Sequence, residues 1–259
     1  MKVVILCGGL GTRIREETEF RPKPMVNIGG RPILWHIMKI FAHYGHNDFV
    51  LCLGYKGGMI KDYFYHYEML NNDFTVELGN LREVTIHQGH AEAGWKVTMA
   101  DTGEKALKGA RLKKIERYID TDPFIVTYGD SLADVDIENL LDFHSDHGKL
   151  ATVTGINPTS RFGELKIEGD KVESFREKPQ NSAEFINGGF FVFRKEIFEY
   201  LSAEDQCDLE VGALERMAGD GELMVYKHKG SWACMDTVRD MDYLNDLWAA
   251  NRAFWKIWS

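Results

Sequence analysis

The residues best suited to chemistry open the chain. Gly8, Gly9 and Gly11 follow directly on the apolar run Val3–Leu6, and Arg13, Arg15, Arg21 and Lys23 come next. A loop with almost no side chains lets backbone N–H groups approach an anion closely. A local group of cations in a chain whose formal net charge is −9 suggests phosphate as the anion. On spacing alone, an ordinary turn from strand to helix with a solvated basic face also accounts for these residues. Two common phosphate motifs are excluded. No Gly-Lys-Ser or Gly-Lys-Thr occurs near the loop, and G-x-G-x-x-G breaks because Ile14 stands where its third glycine should fall.

Asp130 and Asp236 are the acidic candidates. Each ends an apolar stretch, Phe124 to Tyr128 in one case and Trp232 to Met235 in the other. Carboxyl ends of strands are where open α/β sheets place ligands. Two carboxylates so placed can share Mg²⁺, which prefers hard oxygen ligands. Each aspartate also precedes a helical stretch and could instead be its N-cap. Glu177-Lys178-Pro179 and Asn187-Gly188-Gly189 each follow or interrupt a strand-like segment, and proline after Lys178 stiffens the turn and fixes the direction of the lysine. A plain solvated turn is the alternative there. His43/His46, His87/His90 and His144/His147 are each three apart, but no Cys, Asp or Glu cluster completes a metal site around them. No G-x-S-x-G occurs, so covalent catalysis has no candidate nucleophile.

These residues need elements to hold them. Val3–Leu6, Asp48–Leu53 and Phe124–Tyr128 read as buried strands, and helices are expected over 32–44, 59–70, 134–147 and 236–254. The order strand, helix, strand, helix predicts an α/β fold with a parallel sheet covered on both faces. Residues 73–100 alternate in hydropathy and read as exposed strands or an extended excursion. A helix is predicted within 103–118, where KGARLKKIERYI lies. From 151 to 193 the pattern is β-rich, with a hairpin turn at Gly169-Asp170. Helices follow near 195–202 and 209–219. No linker, low-complexity tract or repeat interrupts the chain, so a single domain over 1–259 is expected. Its nucleotide-binding part would cover about 1–130 and its sugar-binding and C-terminal part about 131–259.

Composition narrows the function. Hydrophobic residues at 44% supply a sizeable core, and no apolar run approaches the roughly 20 residues that span a membrane. The acidic balance argues against a nucleic-acid binder, which needs a broad basic face. Cys7, Cys52, Cys207 and Cys234 are far apart, form no C-x-x-C and lie mostly in apolar runs. That suits reduced thiols in the cytoplasm, and a strand at the amino terminus is unlike a signal peptide.

GGLGTR, followed by PKPM at residues 22–25, resembles the signature of the sugar-phosphate nucleotidyltransferase family. TYGD, FGEL, EKP, INGGFFVF and the Met-Asp-Thr at 235–237 extend the resemblance over nearly the whole chain, and the Arg-Glu-Glu-Thr stretch at 15–18 is similar to the family's cytidylyl branch. The resemblance implies a Rossmann-like, doubly wound, mostly parallel sheet with an additional β-rich sugar-binding part. It also implies a homo-oligomer, Mg²⁺ as cofactor, and CTP and glucose 1-phosphate as substrates, with CDP-glucose and pyrophosphate as products. It places Leu6, Gly8, Gly9, Gly11, Thr12, Arg13, Lys23, Gly109, Arg111 and Asp130 on the nucleotide. Glu177, Lys178, Asn187 and Gly188 would lie on the sugar phosphate, Asp130 and Asp236 on the metal, and Arg13, Lys23, Asp130, Lys178 and Asp236 would carry catalysis. Three departures stand out. Ser131 replaces a glycine after Gly-Asp, Ala110 replaces a glycine beside Arg111, and Glu210 to Leu214 reads EVGAL where that branch has Glu-Pro-Leu. A nicotinamide-dependent dehydrogenase shares the opening strand and glycines but has no role for EKP. A non-catalytic nucleotide sensor would be expected to lose Arg13, Asp130 or Asp236, all of which are present.

Overall fold

The computed structural model describes residues 1–79, 84–157, 164–168, 170–176 and 185–258. Its centre is a seven-stranded sheet. In chain order the strands are β1 (Lys2–Leu6), β2 (Asp48–Leu53), β3 (Lys96–Asp101), β4 (Phe124–Tyr128), β5 (Ala151–Ile156), β6 (Ile186–Phe193) and β7 (Leu223–Lys227). Across the sheet they run β7-β5-β6-β4-β1-β2-β3. β1 is parallel to both β2 and β4, β2 to β3 and β5 to β7, whereas β6 is antiparallel to its neighbours β4 and β5. The expected α/β fold with a mostly parallel sheet is therefore present. Its second half adds three strands to the same sheet, with β6 reversed between the two halves.

Two-residue periodicity divides the core. Val3 and Ile5 point to one face, where they meet Ile33, Ile37 and Phe41 of α1 (Ile33–His43), and the same cluster includes Leu244 and Trp255 near the C-terminus. Val4 and Leu6 point to the other, with Val126, Leu112, Ile115, Phe198 and Leu209. Helices cover both faces because a parallel sheet of continuous apolar strands has no face fit for water.

Some expectations need correction. Of the segments read as exposed strands or an excursion, the one around Trp95–Met99 is a strand but belongs to the central sheet: it contains β3, the edge strand paired in parallel with β2. Its alternation of hydropathy reflects an edge strand with one half-exposed face. Phe74–Val76 and Val84–Ile86 pair as a two-stranded ribbon apart from that sheet. The helix expected over 59–70 is two, α2 (Gly57–Tyr65) and a short one over Tyr67–Asn71. The helix expected within 103–118 is α3 (Lys108–Lys114) followed by a 3₁₀ turn over Glu116–Tyr118. Glu164–Glu168 and Lys171–Arg176 pair as the predicted hairpin.

Candidate active site

The residues singled out at the start of the chain and those near its end meet in one cavity of about 480 Å³ at the carboxyl ends of β1 and β4. Leu6, Gly8, Gly9, Gly11, Thr12, Arg13 and Lys23 line it from one side, and Asp130, Asn187 and Asp236 from the other. The topology explains the meeting of Asp130 with Asp236. After Asp130 the chain forms a short strand, Ser131–Ala133, antiparallel to Trp232–Cys234, with Ser131 opposite Cys234. Met235 N then donates to Asp130 O at 2.9 Å, which leaves Asp236 beside Asp130.

Neither aspartate is a helix cap, the alternative that spacing left open. Helix α4 (Ile137–His147) is capped by Asp136, and α5 (Val238–Ala249) by Thr237 in a capping box with Asp240. Both carboxylates instead turn to Lys23. Lys23 Nζ donates to Asp130 Oδ2 at 2.6 Å and to Asp236 Oδ1 at 2.7 Å, while Arg13 Nη1 donates to Asp236 Oδ2 at 2.5 Å. Pro22 and Pro24 flank Lys23 in a 3₁₀ turn, so its backbone is stiff and its stem is buried. Burial would lower the Lys23 ammonium, but the adjacent Asp130 and Asp236 hold it above its ordinary value. Burial would raise Asp236, yet Lys23 and Arg13 keep it below the usual carboxylate range.

The donor set suits a hard divalent cation. Among the described residues, Asp130, Cys234 and Asp236 form the one group whose ligand atoms all lie within 4.8 Å of one another. Burial and the charge of Asp130 push the Cys234 thiol up to about 12. The thiol therefore keeps its proton near neutral pH, and the carboxylate oxygens are the anionic donors. Lys23 already demonstrates that a cation is favoured between them.

The four-cation cluster divides. Arg13 and Lys23 reach the cavity. Arg21 turns to Glu17 at 3.6 Å, and Arg15 lines a neighbouring hollow with Glu19 and Tyr55. Gly11 adopts φ of 63°, and its carbonyl accepts from Thr18 Oγ1 at 3.0 Å, which fixes the loop. Arg111 reaches the cavity wall but its guanidinium is engaged: it donates to the carbonyls of Leu53, Gly103, Glu104 and Gly8 and to Thr102 Oγ1. Gly109 and Ala110, beside it, do not line the cavity. A Cβ on Gly109 would meet the backbone of Asp208, and Ala110 N donates to Cys207 O. Gly188 sits in the sheet against Ile156 and Thr154, with its carbonyl accepting from Trp232 Nε1 at 2.8 Å. Glu177 and Lys178 lie outside the described residues.

The structure adds residues that sequence reasoning missed. Lys108, Tyr128, Ser131, Trp232 and Cys234 also line the cavity. Tyr128 O–H and Lys108 Nζ both donate to Glu210 Oε1, and Asn187 Nδ2 donates to Tyr128 Oη at 3.0 Å. Gly189, with φ of 83°, makes room for the Tyr128 ring. The position of Tyr128 directly before Gly129-Asp130 could have flagged it, whereas Lys108 and Glu210 carry no local signal. Of the histidines in pairs, His144 and His147 converge on Thr152 Oγ1, and His90 bridges Glu68 and Glu92.

Residues 2–255 match the family described as nucleotidyl transferase. The chain is 47% identical over 259 residues to a protein of Salmonella typhi named glucose-1-phosphate cytidylyltransferase, covering 100% of both. The protein of that name from Salmonella typhimurium matches equally, at 47% over 259 residues and 100% of both. Among solved structures, HddC from Yersinia pseudotuberculosis superposes with a TM-score of 0.68 at 25% identity, over 95% of this chain and 99% of that one.

Proposed function

Since the chain belongs to the nucleotidyl transferase family, we propose that it transfers the cytidylyl group of CTP to α-D-glucose 1-phosphate, giving CDP-glucose and pyrophosphate. The observation that carries this reading is the 47% identity, over all 259 residues, to a glucose-1-phosphate cytidylyltransferase. The cavity supplies what that reaction needs.

A sugar 1-phosphate has a second pKa of about 6, so near neutral pH its oxygen is already a competent nucleophile. That oxygen attacks the α-phosphorus of CTP, the new P–O bond forms, and the bond to the β,γ-phosphates breaks in line. Pyrophosphate leaves with the electron pair, and no protein group need accept a proton. The difficulty is repulsion between two anions, which preorganised cations relieve. Arg13 would hold the triphosphate, Lys23 would bridge the phosphates, and Lys178 would hold the sugar phosphate. Glu177, Asn187 and Gly188 would orient the sugar. Asp130 and Asp236 would hold Mg²⁺, which when bound supplies charge neutralisation at the transferring group. Leu6, Gly8 and Gly9 offer backbone to the nucleotide, and Arg111 keeps that loop in place.

A reducing, cytoplasmic setting fits the four free cysteines, and no helix among the described residues is long and apolar enough to cross a membrane. A homo-oligomer is part of the proposal. Leu70, Phe74, Leu78 and Val84 are exposed on and beside the Phe74–Val76/Val84–Ile86 ribbon, an apolar surface suited to a second copy.

The decisive experiment incubates the protein with Mg²⁺, glucose 1-phosphate and, in turn, CTP, UTP, dTTP and GTP, and measures pyrophosphate. Release with CTP well above the others is expected. Equal release with another triphosphate overturns the base assignment, and none with any of the four overturns the activity.

A further inference from the structure

The two carboxylates suited to a divalent ion are already paired. Both oxygens of Asp236 are engaged, one by Lys23 Nζ at 2.7 Å and the other by Arg13 Nη1 at 2.5 Å, and Lys23 Nζ also lies 2.6 Å from Asp130 Oδ2. Two cations and two carboxylates cancel. The Lys23, Asp130 and Asp236 side chains are only 10%, 24% and 17% exposed, so water screens them poorly. A divalent ion that ligates Asp236 and Asp130 competes with these cations for the same oxygens and is repelled by them, and a lysine pushed off without a new partner becomes a poorly solvated, unpaired charge. Lys23 cannot withdraw far, because Pro22 and Pro24 fix its backbone and its stem is buried. Lys23 shares its cavity with the loop formed by Gly8, Gly9 and Gly11. A triphosphate on that loop gives the ammonium new acceptors.

We propose that Lys23 is a built-in counter-cation that keeps Asp130 and Asp236 closed to a divalent ion until a triphosphate draws its ammonium away, so that metal and triphosphate bind as a coupled pair. This deepens the reading of the site given above. Arg13, 72% exposed at its side chain, is free to make the same exchange at the other oxygen of Asp236. Coupling between two ligands is reciprocal: if the triphosphate opens the carboxylates to metal, the metal strengthens triphosphate binding by the same factor.

The probe is Mn²⁺ alone, its free concentration read by electron spin resonance, on the full chain with no nucleotide. Lys23→Met is expected to bind Mn²⁺ more tightly than wild type by roughly tenfold or more, within the range of coupling between neighbouring sites. Adding Asp236→Asn to Lys23→Met should abolish the gain, which places the ion on the carboxylates. Unchanged or weaker Mn²⁺ binding by Lys23→Met overturns the proposal. Lys23→Gln repeats the test if circular dichroism finds Lys23→Met unfolded. A nucleotide analogue supplies an independent arm. The factor by which α,β-methylene-CTP raises Mn²⁺ affinity should be larger in wild type than in Lys23→Met, and equal factors in the two proteins overturn the coupling through Lys23. Mn²⁺ binding without nucleotide does not depend on which triphosphate or sugar is turned over, so failure here leaves the proposed reaction standing, and the reverse also holds.

Discussion

Arg111 Nη2 donates to the carbonyl oxygen of Gly8 at 2.9 Å, tying α3 to the first turn of the glycine loop. A Cβ on Gly8 would fall on the guanidinium itself. Arg111 is 3% exposed, and its other donors reach Leu53, Thr102, Gly103 and Glu104, so the side chain has no free direction in which to yield. It is a positioning residue for the glycine loop.

Arg111→Lys should therefore destabilise, because an ammonium cannot reproduce the planar fork and leaves buried carbonyls unmatched. A loss of about 2–3 kcal/mol corresponds to a fall of roughly 5–10 °C in Tm for a chain of this size. Gly8→Ala should lower Tm in the same direction and raise KM for CTP. A shift of under about 2 °C in Arg111→Lys, by thermal denaturation, would contradict this role.

Asp130→Asn and Asp236→Asn should each keep the fold and lose turnover by roughly 10²–10³, the usual cost of one important electrostatic group. Steady-state kinetics at saturating Mg²⁺ check it. A near wild-type rate in either variant removes that residue from the site.

CTP should be preferred to UTP and dTTP by at least about 10² in kcat/KM, because a site built for one hydrogen-bonding pattern leaves buried groups unpaired with the other. Ala110 is buried away from the cavity, with its N–H on Cys207 O. Ala110→Gly should then leave selectivity within about twofold and cost about 0.5–1 kcal/mol through helix propensity. A large change in the CTP/UTP ratio would place the methyl at the base.

Tyr128→Phe removes the hydroxyl that links Asn187 to Glu210. KM for glucose 1-phosphate should rise about 5- to 20-fold, consistent with one or two lost hydrogen bonds, while KM for CTP changes little. The converse split would assign Tyr128 to the nucleotide.

Asp236 is held below its ordinary 3.8, chiefly because Lys23 and Arg13 outweigh the effect of burial. A carboxylate depressed in the folded state adds stability above its unfolded pKa and loses it as pH falls through the folded value. The Tm advantage of wild type over Asp236→Asn should be flat from pH 5 to 8 and shrink below about pH 4. Lys23, raised above 10.5, acts at the other end, its contribution fading only as pH climbs through that higher value. An advantage that grows on acidification would refute the pairing.

Local chemistry made much of this legible in the amino-acid order. Uninterrupted apolar runs fixed Lys2–Leu6, Asp48–Leu53 and Phe124–Tyr128 as buried parallel strands, and glycines directly after the first strand marked the loop. Arg13, Lys23, Asp130 and Asp236 were recognisable as candidates because each has a type and a place at a strand end or loop that phosphate or metal chemistry requires. What the tertiary structure decided is which groups touch. The choice between helix cap and shared cation site for the two aspartates turned on the ribbon that pairs Ser131 with Cys234. The strand Lys96–Asp101 joined the sheet because Asp48–Leu53 offered it an unpaired edge. Lys108, Tyr128 and Glu210 meet only because α3 and the Leu209–Leu214 turn close on the end of β4. Such contacts span long sequence separations, and no local pattern encodes a partner that the chain reaches only once it has folded.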